Sequence, residues 1–209
     1  VQLNEDIYRI LGIPLLLKLA TIFEKAAMYD YAHVASEYIE TIFPYRGKVN
    51  KARISERQGR FEDSVVAMLE IIEAQKQNNI RLELASIIDL NLNISWAIVS
   101  GRLENYRTLG WSLLTEAQEY LYADFDKVRN SEQIIRLYNV SANFEEWEGR
   151  PEGAIKNYDK ALQIPGVSQA QLSNLLVNKG IALRQINQLR EGVYYGQQGA
   201  EVKLAIGDA

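Results

Sequence analysis

Three turns of similar sequence recur along the chain, and they constrain the fold more than any other feature. They are residues 58–62 (QGRFE), 100–104 (SGRLE) and 148–152 (EGRPE). Glycine supplies the left-handed backbone that ends a helix, and the acidic residue that follows suits the first turn of the next helix. A fourth turn has Asn187 in place of glycine, and a fainter fifth lies near residues 28–31. The pattern predicts a series of helix hairpins.

Between the turns the apolar spacing is helical, and no stretch alternates as a strand would. All four prolines, Pro14, Pro44, Pro151 and Pro165, fall at proposed helix edges. This supports the assignment, because a proline inside a helix costs about 3 kcal/mol. We predict helices over residues 13–28, 31–43, 46–58, 61–78, 81–100, 103–123, 130–148, 151–164, 169–185 and 188–206.

Residues 137–162 resemble a unit of the tetratricopeptide repeat (TPR) superfamily. The matching positions are the aromatic Tyr138, the small Ala142, the turn at Gly149, and Ala154, Tyr158 and Ala161 on the second helix. The next unit keeps Gly180, Gly192, Gly196 and Gly199 at the small positions. Small residues let two helix backbones approach closely. The resemblance implies an all-α fold, a right-handed α-solenoid of about five TPR-like helix pairs.

The earlier units depart from this pattern. Around Gly59 the small positions become Ser64, Met68 and Ile71, and around Gly101 they become Tyr106, Gly110 and Leu113. The turns at 59, 101, 149 and 187 are also spaced unevenly, whereas a TPR array repeats about every 34 residues. This layout resembles the TPR-like sensor domains of Gram-positive peptide-pheromone receptors and the helical sensor regions of large bacterial signal-transducing ATPases. We expect residues 1–209 to form one domain of a longer protein.

Composition excludes some functions. The chain has 209 residues, of which 47% are hydrophobic, a formal net charge of −4 and a pI of about 5.2. This balance argues against broad nucleic-acid binding, which needs a basic face. Cysteine is absent, which removes disulfides and thiolate metal sites and favours a reducing, cytoplasmic location. No apolar stretch is long enough to predict a membrane span.

Motifs for catalysis are missing. The single histidine, His33, cannot form a histidine metal cluster, and neither a phosphate-binding loop nor a dinucleotide fingerprint occurs. Glu145, Glu146 and Glu148 are better explained as a solvated helix end than as an acid/base pair. Trp96, Trp111 and Trp147 are expected to anchor helix packing. We therefore expect no enzyme activity, no metal and no cofactor.

One polar constellation suggests a ligand. If Gly101 and Gly149 are equivalent, Asn91 and Asn139 lie at one register position, and Ser95 and Asn143 at another. First helices of stacked pairs line a concave surface, where amides can bind a peptide backbone and arginines a carboxylate. Chance alignment is the alternative, since asparagine is tolerated on exposed helix faces. The predicted peptide-binding residues, all expected to be exposed there, are Asn91, Ser95, Arg136, Asn139, Asn143, Asn174 and Arg184.

The leading hypothesis is a non-catalytic module that binds a peptide or protein partner on its concave face, without contacting nucleic acid or membrane. An alternative is a ligand-sensing regulatory domain of a larger bacterial signalling protein, either a transcription regulator or a signal-transducing ATPase. Two further possibilities are an enzyme with an unrecognised site and a structural array that forms homo-oligomers through its convex faces. Fold alone does not decide among them.

Overall fold

The computed structural model describes residues 15–77, 82–123 and 131–207. Within these ranges the chain forms ten α-helices and no strand, which confirms the predicted all-α class. The helices are α1 (residues 15–25), α2 (Tyr29–Ile42), α3 (Pro44–Arg57), α4 (Phe61–Lys76), α5 (Leu84–Ser100), α6 (Arg107–Ala123), α7 (Ser131–Trp147), α8 (Pro151–Gln163), α9 (Gln169–Gln185) and α10 (Leu189–Ala205). A single 3₁₀ turn, Glu104–Tyr106, precedes α6.

The prolines behave as predicted wherever the structure describes them. Pro44 and Pro151 occupy the first positions of α3 and α8, where the missing N–H has no helical partner to lose. Pro165 follows the end of α8. Pro14 lies outside the described residues.

The helices belong to two compact units. The first, Val1–Leu82, contains α1 to α4, and the second, Glu83–Ala209, contains α5 to α10. In each unit consecutive helices pack as antiparallel neighbours, for example α3 with α4 and α7 with α8. The expectation that residues 1–209 form one domain stays a prediction.

Each helix pair contains one residue with a left-handed backbone, which we call the turn residue. The five turn residues are Ala27, Gly59, Arg102, Gly149 and Asn187, with φ between 51° and 75°. In every case the next N–H donates a hydrogen bond to the carbonyl five residues earlier, as the Schellman motif requires. These bonds are Met28 to Phe23 (2.8 Å), Arg60 to Ser55 (2.8 Å), Leu103 to Ile98 (3.1 Å), Arg150 to Glu145 (2.8 Å) and Gln188 to Leu183 (3.0 Å). The five pairs therefore end their first helices in the same way.

The turn after α5 differs from the prediction by one residue. Gly101 has φ −82° and stays right-handed, and its N–H donates to the carbonyl of Ala97 at 2.9 Å. The first helix therefore continues through Gly101, and Arg102 takes the left-handed conformation. The expectation that glycine always marks this position was wrong here. The fainter fifth turn is real, but its turn residue is Ala27.

Small residues recur at a constant distance from the turn residue. Seven residues before it lie Ala20, Ala52, Ser95, Ala142 and Gly180, all of them buried. On the second helices the contacting positions lie five and twelve residues after the turn residue; they include Ala154 with Ala161 and Gly192 with Gly199. The predicted close-contact positions Ala142, Ala154, Ala161 and Gly180 are confirmed as buried.

Three residues assigned to small positions depart from the prediction. In α6 the contacting residues are Gly110 and Ala117, because the 3₁₀ turn Glu104–Tyr106 inserts three residues; Tyr106 and Leu113 do not take these places. Between α9 and α10, a Cβ at Gly180 or Gly192 would meet the other helix's backbone at 2.6–2.8 Å, but a Cβ at Gly196 would meet nothing within 4 Å. Gly196 therefore has room for a side chain of its own, although its backbone N would lie 2.9 Å from a Cβ at Gly180.

Candidate functional site

The position of the turn residue determines which side of a first helix points outwards. With Arg102 as the turn residue of α5, Ser95 lies seven residues before it, as Ala142 does before Gly149. Trp96, and not Ser95, is then the equivalent of Asn143. Because one residue turns an α-helix by about 100°, the shift moves a whole row of side chains from one face to the next.

Asn91 and Ser95 are consequently not exposed. Their relative exposures are 1% and 0%, so the prediction that they line an open surface was wrong. Ser95 Oγ donates to the carbonyl of Gly110 at 3.1 Å, between α5 and α6. Ser95 therefore belongs to the packing layer of this helix pair, and Asn91 is buried in the same helix.

Arg136 lies on α7 and joins it to α5. Its Nη1 lies 3.0 Å from Asp89 Oδ1, and its Nη2 donates to Asn93 Oδ1. A neighbouring bond runs from Gln133 Nε2 to the carbonyl of Ala85 at 3.0 Å. The guanidinium is partly buried and already paired. It therefore holds the two helices together and places a positive charge at their surface.

Asn139 and Asn143 are half-buried on the same side of α7. Asn143 Nδ2 donates to the carbonyl of Asn139 at 2.7 Å. The Oδ1 atom of Asn143 takes no part in that bond. Asn139 Oδ1 is buried, with no hydrogen-bond partner among the residues the structure describes. These amides are therefore less exposed to solvent than we predicted.

The last two predicted residues, Asn174 and Arg184, are exposed on α9 as expected. Arg184 lies three residues before its turn residue, and Glu146 is its equivalent on α7. Burial raises the pKa of the Glu146 carboxyl, while the Tyr158 hydroxyl, which donates to its Oε1 at 3.0 Å, and Arg102 favour the charged form. This register position is therefore acidic on α7 and basic on α9.

Two residues that the sequence analysis did not select take the position equivalent to Asn143 on the neighbouring first helices. Trp96 is 39% exposed on α5 and Ile181 is 36% exposed on α9, both six residues before their turn residues. Trp96 is thus not the packing anchor that was expected. By contrast, Trp111 and Trp147 flank the buried Phe144 ring at 5.2 and 5.7 Å. Only the conformation of Arg102 identifies the register that aligns Trp96 with Asn143.

We call this surface of the second unit the first-helix face. It consists of the residues thirteen, ten, six and three positions before the turn residue on α5, α7 and α9. They are Asp89, Leu92, Trp96 and Val99; Arg136, Asn139, Asn143 and Glu146; and Asn174, Val177, Ile181 and Arg184. Leu92 and Val99 are buried. The remaining residues combine an exposed indole, amides, two aliphatic side chains and charges of both signs.

The described residues contain no group of three or more His, Cys, Asp and Glu side chains that could hold a metal ion. In the same ranges, no helix has the length and apolarity needed to cross a membrane.

Comparison with known proteins by sequence finds no matching family profile and no matching curated protein. Comparison by structure does find matches. BtubC (BKLC) from P. vanneervenii has a TM-score of 0.71 at 12% identity, over 100% of this chain and 88% of BtubC. MamA MSR-1 C2 has a TM-score of 0.50 at 15% identity, over 91% of this chain and 95% of MamA. This chain has a helical-repeat fold. At such identities the likeness concerns the fold alone.

Proposed function

We propose that the chain is a TPR-like, non-catalytic interaction module whose first-helix face binds an extended peptide segment of a partner protein. One observation carries the proposal. Trp96, Asn143 and Ile181 occupy the same register position on three successive first helices, so the face presents indole, amide and aliphatic side chains in a row.

This row suits a peptide better than a small polar molecule. Exposed tryptophan is among the residues that contribute most to binding at protein interfaces, because its large ring loses little conformational entropy on contact. Trp96 and Ile181 would receive apolar side chains of the ligand. Asn143 would bind its main chain, because an amide both donates and accepts hydrogen bonds.

The arginine on α9 favours a ligand with an acidic side chain or a terminal carboxylate. Arg184 is exposed on α9, whereas Arg136 is held by Asp89. An arginine that is not engaged in such a pair can bind a carboxylate through two parallel hydrogen bonds. The ligand would therefore place an acidic side chain or a terminal carboxylate near α9.

A binding role is favoured over catalysis by the chemistry of the face. Its two carboxylates are engaged: Asp89 pairs with Arg136, and Glu146 accepts a hydrogen bond from the packing residue Tyr158. The single histidine, His33, lies on α2 in the other unit.

The test is selection of ligands from a displayed library of random twelve-residue peptides, followed by titration of the selected peptides. Trp96→Ala should weaken binding by about tenfold or more, and the double variant Asn139→Ala, Asn143→Ala by severalfold, since a neutral hydrogen bond is worth about 0.5–1.5 kcal/mol. Lys156→Ala, at an exposed position of α8, is the matched control and should change nothing. The proposal fails if no peptide is selected, or if the selected peptides bind the Trp96 and Asn variants as tightly as the unaltered chain.

A further inference from the structure

The outward surface of α2 carries a row of exposed apolar side chains. Tyr31, Val34 and Tyr38 are 61%, 65% and 58% exposed. Since an α-helix turns by about 100° per residue, the three lie within about 60° of one another around its axis. Tyr31 also packs against Phe23 of α1, with ring centroids 5.5 Å apart. Single exposed apolar residues are common, but a contiguous row of them is typical of an interaction surface.

The exposure of this row does not depend on where the chain begins. The row lies four, seven and eleven residues after the turn residue Ala27, and the other second helices within the chain have residues at the same positions. Allowing for the three residues inserted before α6, they are Asp63, Val66 and Glu70 of α4; Leu109, Ser112 and Glu116 of α6; and Gly153, Lys156 and Lys160 of α8. None of these residues is buried. Each of the three helices has at least one charge at these positions, whereas α2 has only tyrosine and valine.

Acidic residues lie directly beside the row. Asp30 and Glu37 are exposed, and both lie within about 60° of Val34 around the helix. Lys51 of α3 is 3.9 Å from the Glu37 carboxylate but 2.8 Å from that of Glu40, so it pairs mainly with Glu40. The helix itself contains neither lysine nor arginine. We call this surface, which consists of Asp30, Tyr31, Val34, Glu37 and Tyr38, the outer face of α2.

The chemistry of the outer face favours a basic ligand. Carboxylates attract lysine and arginine, and the exposed faces of tyrosine rings bind the same cations. A second copy of α2 fits poorly, because two such faces meeting about a twofold axis would bring acids together without a basic residue to pair them.

The arrangement of the outer face favours a helical ligand. Its apolar row and its acidic row run side by side along one straight helix. A ligand that matches both rows repeats its apolar side chains every three to four residues and carries its basic residues on one flank. This is the pattern of an amphipathic helix.

We infer that the outer face of α2 binds a basic amphipathic helix of a partner protein. The apolar side chains of that helix cover Val34 and the two tyrosine rings, and its lysines or arginines pair with Asp30 and Glu37. The outer face lies in the first unit, whereas the proposed peptide site lies in the second. The inference is therefore independent of the proposed function.

Selection from a displayed library of helical peptides tests this inference. The peptides are about eighteen residues long, because shorter helices are marginal in isolation. Leucine repeats every three to four residues, and the flanking positions vary among lysine, glutamate and glutamine. Clones that bind the Val34→Glu variant are removed first, and the remainder are selected on the unaltered 209-residue chain.

We expect the selected peptides to carry lysine on the flank. Tyr38→Ala should weaken their binding by about tenfold or more, as expected for an aromatic residue at the centre of an interface. The double variant Asp30→Asn, Glu37→Gln should weaken it severalfold and reduce its dependence on salt, since exposed charge pairs are screened by ions.

Two variants serve as controls. Val66→Glu changes the equivalent position of α4, which is 44% exposed, and Trp96→Ala changes the proposed peptide site. Both should bind the selected peptides as the unaltered chain does, so the two proposals can fail separately. Circular dichroism of each variant checks that the helical fold persists, as expected for exposed positions.

Four results would overturn the inference. They are a selection in which no clone survives the subtraction, surviving peptides with acidic or neutral flanks, a Tyr38→Ala variant that binds the peptides as tightly as the unaltered chain, and self-association of the unaltered chain that Val34→Glu abolishes. The last result would assign the outer face to a second copy.

Discussion

The hydroxyl of Ser95 donates a hydrogen bond to the backbone carbonyl of Gly110 at 3.1 Å, inside the packing layer between α5 and α6. Ser173 makes the same kind of bond to the carbonyl of Gly199 at 2.8 Å, between α9 and α10. Both serines are buried, and a buried hydroxyl needs such a partner. Serine in these places therefore joins a helix pair and is not available to a ligand.

Replacing Ala154 with leucine should overpack the α7–α8 pair. Ala154 is fully buried in a cluster with Ala142, Tyr158 and Ala161. We expect the free energy of unfolding to fall by about 1–3 kcal/mol in urea denaturation. Lys156→Leu, on the exposed side of the same helix, should change it by less than about 0.5 kcal/mol. Equal effects at the two positions would contradict the register of this repeat.

Replacing Asn91 with leucine should stabilise the chain. Asn91 is 1% exposed, and its Nδ2 has no hydrogen-bond partner within the described part of the chain. An unsatisfied buried amide costs about 1–3 kcal/mol, and leucine has nearly the same shape. We expect Asn91→Leu to raise the urea midpoint and Asn91→Ala to lower it by leaving a cavity. A leucine variant less stable than the alanine variant would disprove this account.

The left-handed backbone of Arg102 should be strained. Its φ is 51°, a conformation that glycine adopts without penalty. Arg102→Gly should therefore be more stable than Arg102→Ala by about 1 kcal/mol. Both variants lose the guanidinium that lies over the Trp147 ring, so their difference isolates the backbone. Gly149→Ala, with φ 72° and open space around the Cβ, should lose a similar amount, and thermal unfolding of the three variants measures it.

Glu56 should make the first unit less stable as pH rises. Burial raises the pKa of its carboxyl to about 7, although the Ser64 hydroxyl that donates to it at 2.8 Å and the nearby Arg53 and Arg57 favour the charged form. The neighbouring Glu24 carboxylate adds to the increase. Because the folded state holds this proton at a pH where the unfolded state has released it, stability should decline between about pH 4.5 and 7.

Glu56→Gln should remove this dependence, since the amide oxygen can still accept from Ser64. The stability difference between variant and unaltered chain should grow by on the order of 1–3 kcal/mol from pH 4.5 to 8. Urea unfolding at several pH values measures it. Glu62→Gln, at an exposed position of α4, is the control, and its difference should stay constant. A constant difference for Glu56→Gln as well would mean that its carboxyl is ionised in the folded chain throughout this range.

The error in the predicted site came from one residue, Arg102, whose left-handed backbone the sequence did not reveal. Aligning the repeats on Gly101 selected Asn91 and Ser95, which are buried, and passed over Trp96, which is exposed. Arg136 was selected correctly as a first-helix residue, but its partner Asp89 lies 47 residues away in sequence. Pairs of this kind come from helix packing and leave no local signal.

The sequence by itself determined the all-α class, the approximate bounds of the helices, their pairing, and the small residues at Ala142, Ala154, Ala161 and Gly180. These follow from local chemistry: apolar spacing, proline at helix starts, and side chains too small to separate two helices. Only the tertiary structure decided that Arg102, and not Gly101, is left-handed, and hence which residues of α5 face outwards. The local preference for glycine there is about 1 kcal/mol. The structure goes against that preference: Gly101 stays helical, and Ser95 packs against Gly110, fifteen residues along the chain, a contact that the turn sequence does not reveal.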